Sequence, residues 1–385
     1  MIPYGKQDIT DEDIAAVTDV LRSDFLTQGP ILPQFEDQLA DYLSVSHVVA
    51  ANSATSSLHL ACLALGLRSG GLLWTSTNTF VASANAALFC GADVDFVDIC
   101  PDTLNIDIQA LEEKLRLAEN LGRLPDIVMP VHFGGLSCDM RRIAELASRY
   151  HFKIIEDASH AVGGRYEGKP VGACTYSDIS VFSFHPVKII TTGEGGAAAT
   201  ANEELAHRMR LLREHGVTRD PTLMPSLPDG PWGYEQIALG YNYRMNELQA
   251  ALGCSQLKRL EDYVQRRNLL ADHYDQRIKE LPISSQKRPE EGDISSCHLY
   301  VVLLNKELSS KRREIFESMR ALGVGVNVHY RPVHTQTFYR ELGFKYGDYP
   351  CAEDYYSRAL TLPLHPSMTE SDVDFVIDML GRSLG

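Results

Sequence analysis

The spacing of apolar residues changes period repeatedly along the chain, and those changes mark out its elements. Ile14, Val17, Val20 and Leu21, entered from Thr10 with Asp13 three residues on, predict an amphipathic helix over 11–22. Gly29 and Pro30 break that pattern before a second amphipathic segment over 32–43. Short apolar runs then alternate with helical stretches. Strands are predicted from His47, from Leu73, and over 93–98, 126–132, 152–157, 178–184 and 196–200. Helices are predicted over 56–67, 81–89, 107–119, 139–150 and 202–214. Alternation of this kind predicts an α/β fold with a mainly parallel, doubly wound sheet whose strand ends converge on one crevice.

Past residue 240 the pattern differs. A long helical stretch reaches Leu281, with Gly253 as its weak point, followed by strands at 299–304 and 324–330 and helices at 309–321, 351–359 and 369–382. At 385 residues the chain exceeds one ordinary core. Two domains are expected, a large α/β domain over 1–250 and a smaller C-terminal α+β domain over 251–385. Residues 217–235, with Pro221, Pro225, Pro228, Gly230 and Pro231, read as a long functional loop or a lid.

Composition narrows the class. With 44% hydrophobic and 23% charged residues the chain is globular, and a formal charge of −15 opposes binding to nucleic acid or an anionic membrane. Any phosphate must therefore be held by a local pocket. No run approaches the roughly 18 apolar residues of a membrane span, and the N-terminus lacks a signal-peptide core. The eight cysteines show no CxxC spacing, which predicts reduced core thiols, no metal site and a cytoplasmic location.

Candidate chemistry sits at predicted strand ends. Lys188 follows the strand over 178–184 and is flanked by Val187, Ile189 and Ile190. Desolvation there would favour its neutral, nucleophilic form, although a lysine snorkelling over a strand end fits the pattern too. Ser53 and Thr55 stand at a strand-to-helix turn, where they are either ordinary caps or part of an anion cradle. Asp157 ends another strand, with His160 three residues on. The acid is either a turn cap or a partner for a protonated ring nitrogen. Phe80, at a further strand-to-helix turn, reads as core filling.

Together these pieces resemble the DegT/DnrJ/StrS sugar-nucleotide aminotransferases. The likeness is carried by Leu26-Thr-Gln-Gly-Pro30, Asn52-Ser-Ala-Thr-Ser56, Glu156-Asp-Ala-Ser-His-Ala161, Phe182 to Gly196, Gly240-Tyr-Asn-Tyr-Arg244 and Val328-His-Tyr-Arg-Pro332. It implies the PLP-dependent transferase fold of type I, with pyridoxal 5'-phosphate as cofactor. By position, Lys188 matches the lysine that holds the cofactor, and Asp157 the acid facing its ring nitrogen. Phe80 and His160 match residues flanking the ring; His160 would orient the Asp157–ring pair or the ring oxygen. Ala54, Thr55 and Ser183 match the phosphate cradle. Asn242 matches a residue given by the neighbouring subunit, which implies a homodimer with shared active sites. Thr27, Gly29, His329, Tyr330 and Arg331, with His334 beyond them, are candidates for the substrate wall. The reaction implied is transfer of the amino group of L-glutamate to C4 of a UDP-4-keto sugar, with Lys188, Asp157 and His160 as the catalytic set. Phe80 to Asn85, Val131 to Gly135, Gly230 to Tyr234 and His298 to Tyr300 resemble the branch that aminates a UDP-2-acetamido-2,6-dideoxy-hex-4-ulose. The branch serving 4-amino-4-deoxy-L-arabinose, and a non-catalytic regulator that binds the cofactor, are the alternatives.

Overall fold

Seven strands form the central sheet of the computed structural model, which describes residues 1–224, 226 and 230–385. They are β1 (His47–Ala51), β2 (Leu72–Ser76), β3 (Asp93–Val97), β4 (Ile127–Met129), β5 (Lys153–Asp157), β6 (Ile179–Ser183) and β7 (Gly196–Thr200). Their order across the sheet is β1-β7-β6-β5-β4-β2-β3. All are parallel to one another except β7, which runs against both of its neighbours.

Such a sheet needs cover on both faces, and the alternation along each strand supplies it. Val49, Ala51, Ile155, Ile179 and Ala198 pack on one side with the helices Ala54–Ala64, Val81–Phe89 and Glu203–Arg213. Val48, Ala50, Phe182 and Ala199 face the opposite way, onto the helices Ile31–Leu43 and Glu247–Leu257. Farther along that face, Trp74, Val128 and Ile154 meet the helices Ile108–Leu121 and Met140–Tyr150.

A second, three-stranded antiparallel sheet lies in the C-terminal part: β8 (Ile283–Ser285), β9 (Tyr300–Leu304) and β10 (Ala359–Leu362), in that order. The helices Leu260–Arg277, Arg312–Ala321 and Glu370–Leu384 pack on it around a core of their own.

Three expectations are corrected here. The stretch 324–330 is not a strand: it makes only single bridges, Val324 with Ile2 and Asn327 with Thr361. The N-terminal residues occupy one side of it, since Gly325 N–H donates to Ile2 O at 2.7 Å, and further pairing is interrupted. The long helix breaks at 258–259, not at Gly253. Gly253 lies inside the first of the two helices, where a Cβ would stand 2.7 Å from the Phe35 ring. The cysteines are unpaired, but half-buried Cys90, Cys100 and Cys174 and exposed Cys351 are not core residues.

Of the expected loop over 217–235, Pro225 and Pro228 fall outside the described residues. Its ends are joined by a two-residue ribbon, Val217–Thr218 against Glu235–Gln236. Among the described residues no helix is long and apolar enough to cross a membrane.

Candidate active site

Register brings the chemistry together. Gly196, the first residue of β7, pairs with Ala51 at the end of β1 and with Ser183 at the end of β6. Asp157, at the end of β5, stands beside Val181 in β6. The segments that leave β1, β2, β4, β5 and β6 at their carboxyl ends therefore enclose one cavity of about 410 Å³, the place where an open α/β sheet binds its ligands.

Lys188 forms one wall. Its loop is closed at the base by Phe184 N–H donating to Gly195 O and by Thr192 N–H donating to Phe184 O, at 2.9 and 3.0 Å. The ammonium lies among cavity residues, and burial pushes its pKa down to about 8, with the Asp157 carboxylate opposing that shift. The snorkelling reading is disfavoured because the side chain is half-buried and lines the cavity.

Asp157 is buried opposite. Its Oδ2 accepts from the Ser83 hydroxyl at 2.6 Å and its Oδ1 from Ser159 N–H at 3.1 Å. Both hydrogen bonds hold the carboxylate in one orientation. Ser83 stands in the Phe80 to Asn85 motif of the resemblance but was given no role there, being one small residue among many in a helix.

The third wall is the amino end of the helix Ala54–Ala64. Ser53 is its cap, its Oγ accepting from Ser56 N–H at 3.1 Å. Ala54, Thr55 and Ser183 line the cavity. At Gly196 a Cβ would stand 2.4 Å from the Ala54 nitrogen, so only glycine lets β7 approach this helix end. The exposed amides and the helix dipole suit an anion.

Phe80 is 59% exposed and lines the cavity, its ring 6.1 Å from that of Tyr330. It is a wall, not core. His160 lines the cavity as well, yet both of its nitrogens are engaged: Nδ1 accepts from Gly134 N–H at 3.3 Å, which leaves Nε2–H to donate to the Tyr330 hydroxyl at 3.1 Å. Burial, then the charge of Lys188, lowers its pKa well below that of free imidazole. Its one N–H is given to Tyr330, so of the two expected tasks, orienting the Asp157–ring pair or the ring oxygen, the second has no donor here. The histidine presents its ring and holds Tyr330.

The expected substrate residues divide. His329 and Tyr330 line the cavity with Tyr4, and burial pushes the His329 pKa down to about 4. Arg331 turns elsewhere, donating to Thr335 O at 2.6 Å and to the Tyr346 hydroxyl at 3.3 Å. His334 is buried between Thr77 Oγ1 and Glu353 Oε1, at 2.6 and 3.0 Å. Thr27 and Gly29 are not among the lining residues. Their loop is held by Glu247, whose carboxylate accepts from Ile31 N–H at 2.7 Å and Leu32 N–H at 3.3 Å. Asn242 is exposed outside the cavity, its carbonyl accepting from the Asn52 amide at 3.4 Å. Glu194 reaches the mouth, exposed and 4.0 Å from His185 Nε2. Tyr4, Ser83 and His298 are cavity residues that the sequence did not single out for a role. His298, next to Leu299 and Tyr300, and Ser83, within Phe80 to Asn85, carried a signal as members of motifs of the resemblance.

An amine, a buried carboxylate and a helix amino end around one cavity form a donor set that fits pyridoxal phosphate. The fold and the site define a pyridoxal phosphate-dependent aminotransferase. The chain belongs to the DegT/DnrJ/EryC1/StrS aminotransferase family, whose pattern matches residues 7–381. It is 41% identical over 382 residues to UDP-4-amino-4,6-dideoxy-N-acetyl-beta-L-altrosamine transaminase of Campylobacter jejuni, covering 99% of this chain and 96% of that one. Helicobacter pylori PseC, an aminotransferase involved in the biosynthesis of pseudoaminic acid, superposes with a TM-score of 0.90 at 32% identity, covering 100% and 99% of the two chains. The sugar aminotransferase Spr1654 of Streptococcus pneumoniae, in its PMP form, superposes at 0.92 with 30% identity, covering 100% and 99%. A PLP form of the same protein matches at 0.91, covering 100% of this chain and 98% of that one. The cofactor is pyridoxal phosphate.

Proposed function

We propose that the protein transfers the amino group of L-glutamate to C4 of UDP-2-acetamido-2,6-dideoxy-β-L-arabino-hex-4-ulose. The product is UDP-4-amino-4,6-dideoxy-N-acetyl-β-L-altrosamine, a precursor of pseudaminic acid. The observation that carries this reading is end-to-end identity of 41% and 40% with two transaminases named for that product.

Pyridoxal phosphate, when bound, supplies a carbonyl for amine exchange and an electron sink for the carbanion formed as the α-proton leaves. The chain's own residues do the rest. Lys188 would hold the cofactor carbonyl, and its amine, brought down to about 8, is suited to moving a proton. Asp157, fixed by Ser83 and Ser159, accepts a hydrogen bond from a protonated ring nitrogen and stabilises its charge. Ala54, Thr55 and Ser183 hold the phosphate. Phe80 and His160 bound the ring, while His329 and Tyr330 face the sugar.

Asn242, exposed and outside its own cavity, is available to a second copy, which supports a homodimer with shared sites. The division into domains 1–250 and 251–385 draws support from the separate core of the C-terminal helices and β8–β10. The cytoplasm is the proposed location.

The test is incubation with L-glutamate and the UDP-4-keto sugar, with the product identified by mass and NMR. Formation of the 4-amino sugar is expected. Conversion of other UDP-4-keto sugars but not this one would overturn the substrate and leave the aminotransferase.

A further inference from the structure

His298 is a buried histidine of the cavity with no assigned task. It lies in the segment that leads into β9, 5% exposed, with its ring centroid 4.5 Å from that of His160. His160 has spent both nitrogens on Gly134 and Tyr330. His298 has not: among the described residues neither of its nitrogens has a side-chain or backbone partner, and while Nδ1 is sealed from solvent, Nε2 is not and is the nitrogen open to the cavity that the residue lines. A buried polar group left open calls for a ligand or a bound water to complete it.

What lies behind His298 sets the chemistry of that ligand. The Arg267 side chain is 1% exposed and makes no ion pair with any carboxylate among the described residues. Its Nη1 donates to three backbone carbonyls, those of Cys297 at 3.3 Å, His298 at 3.4 Å and Leu364 at 2.8 Å, and its Nε has no partner. The guanidinium therefore fixes the backbone that carries His298 and places an uncompensated positive charge behind it. The lining carboxylates lie elsewhere, Asp157 bound to Ser83 and Glu194 exposed at the mouth. In a site of low dielectric such a wall favours an anion. Burial, and after it the nearby charges that include Lys188 and Arg267, holds the imidazole pKa well below the usual value, so the neutral ring offers one N–H donor.

The geometry points to His298, backed by Arg267, as the carboxylate-recognising wall of the cavity, taking a carboxylate of the amino-acid donor. This rests on the aminotransferase reading above and adds to it the contact that distinguishes the donor from the sugar. A neutral sugar hydroxyl gains little from the charge of Arg267, whereas a carboxylate gains a hydrogen bond of the charge-assisted kind.

The experiment uses the full chain loaded with cofactor. His298→Ala and His298→Gln are compared with the parent for calorimetric binding of glutarate, a dicarboxylate with no amino group to give, and for KM of L-glutamate and of the keto sugar separately. His298→Ala is expected to weaken glutarate and raise KM for glutamate about ten- to a hundredfold, with KM for the keto sugar and affinity for the cofactor within about twofold. His298→Gln, which keeps an N–H donor, should recover part of the loss. Arg267→Lys, which keeps the charge, should bind glutarate better than Arg267→Met. A parent that does not bind glutarate, or His298 variants that bind it as the parent does, would overturn the assignment. The functional reading fails on a different result, the absence of amino transfer from glutamate to any UDP-4-keto sugar.

Discussion

Asp157→Asn isolates the electrostatic part of the site from its shape. The side chains are isosteric, and an asparagine Oδ1 can still accept from Ser159 N–H or from the Ser83 hydroxyl, so the fold should lose about 1 kcal/mol, the net worth of one ordinary hydrogen bond. The charge is what disappears. Two opposite charges about 4 Å apart at an effective dielectric of about 20 attract by about 4 kcal/mol, which corresponds to about three orders of magnitude in rate if the interaction is realised only in the transition state. The variant should keep the cofactor, seen by its visible absorption after gel filtration. Its kcat for the glutamate half-reaction should fall about a thousandfold. Losing the carboxylate also removes what opposes the burial of Lys188, so the amine should titrate below the parent value of about 8. Turnover within about tenfold of the parent, in protein saturated with cofactor, would refute the role given to Asp157.

Other positions respond in other ways. Gly196→Ala brings a Cβ to 2.4 Å from the backbone nitrogen of Ala54, which has no freedom to give, so denaturant unfolding should show a loss of about 1–3 kcal/mol. Weaker binding of the cofactor phosphate should accompany it. Ser83→Ala leaves Asp157 one hydrogen bond short and should lower kcat about ten- to a hundredfold with little change in either KM. The folded-state pKa of Lys188 lies below its unfolded value, so the unfolded chain binds more protons between about pH 8 and about pH 10.4. In cofactor-free protein this group therefore makes stability rise with pH across that window and lose its contribution as pH falls through about 8; Lys188→Met should flatten that part of the profile.

Much of this site was legible because its residues stand at ends of elements. The seven central strands are short apolar runs between helical stretches, and each of these seven formed where expected, whereas the strand expected over 324–330 did not. Asp157 and Lys188 were visible as polar residues at or just past the ends of such runs, and Ser183, inside one, through the resemblance. Residues whose place depends on contacts distant in sequence were not visible. Tyr4 reaches the cavity because Ile2 pairs with Val324, and Ser83 reaches Asp157 across 74 positions. Arg331 carries the charge expected of a substrate residue, yet its guanidinium is taken by Thr335 and Tyr346. Nothing local announces that. The four residues Ala359–Leu362 were too short, between a helix and Pro363, to reveal a strand whose partner lies at 300–304.

The central claim is amino transfer to the keto sugar through Lys188. Protein loaded with pyridoxamine phosphate is mixed with UDP-2-acetamido-2,6-dideoxy-β-L-arabino-hex-4-ulose, without glutamate, and followed by visible absorption and product mass. The parent should regain the visible band of lysine-bound pyridoxal phosphate as the 4-amino sugar forms, and Lys188→Ala should do neither. No change in the parent, or the same band from Lys188→Ala, would contradict the account.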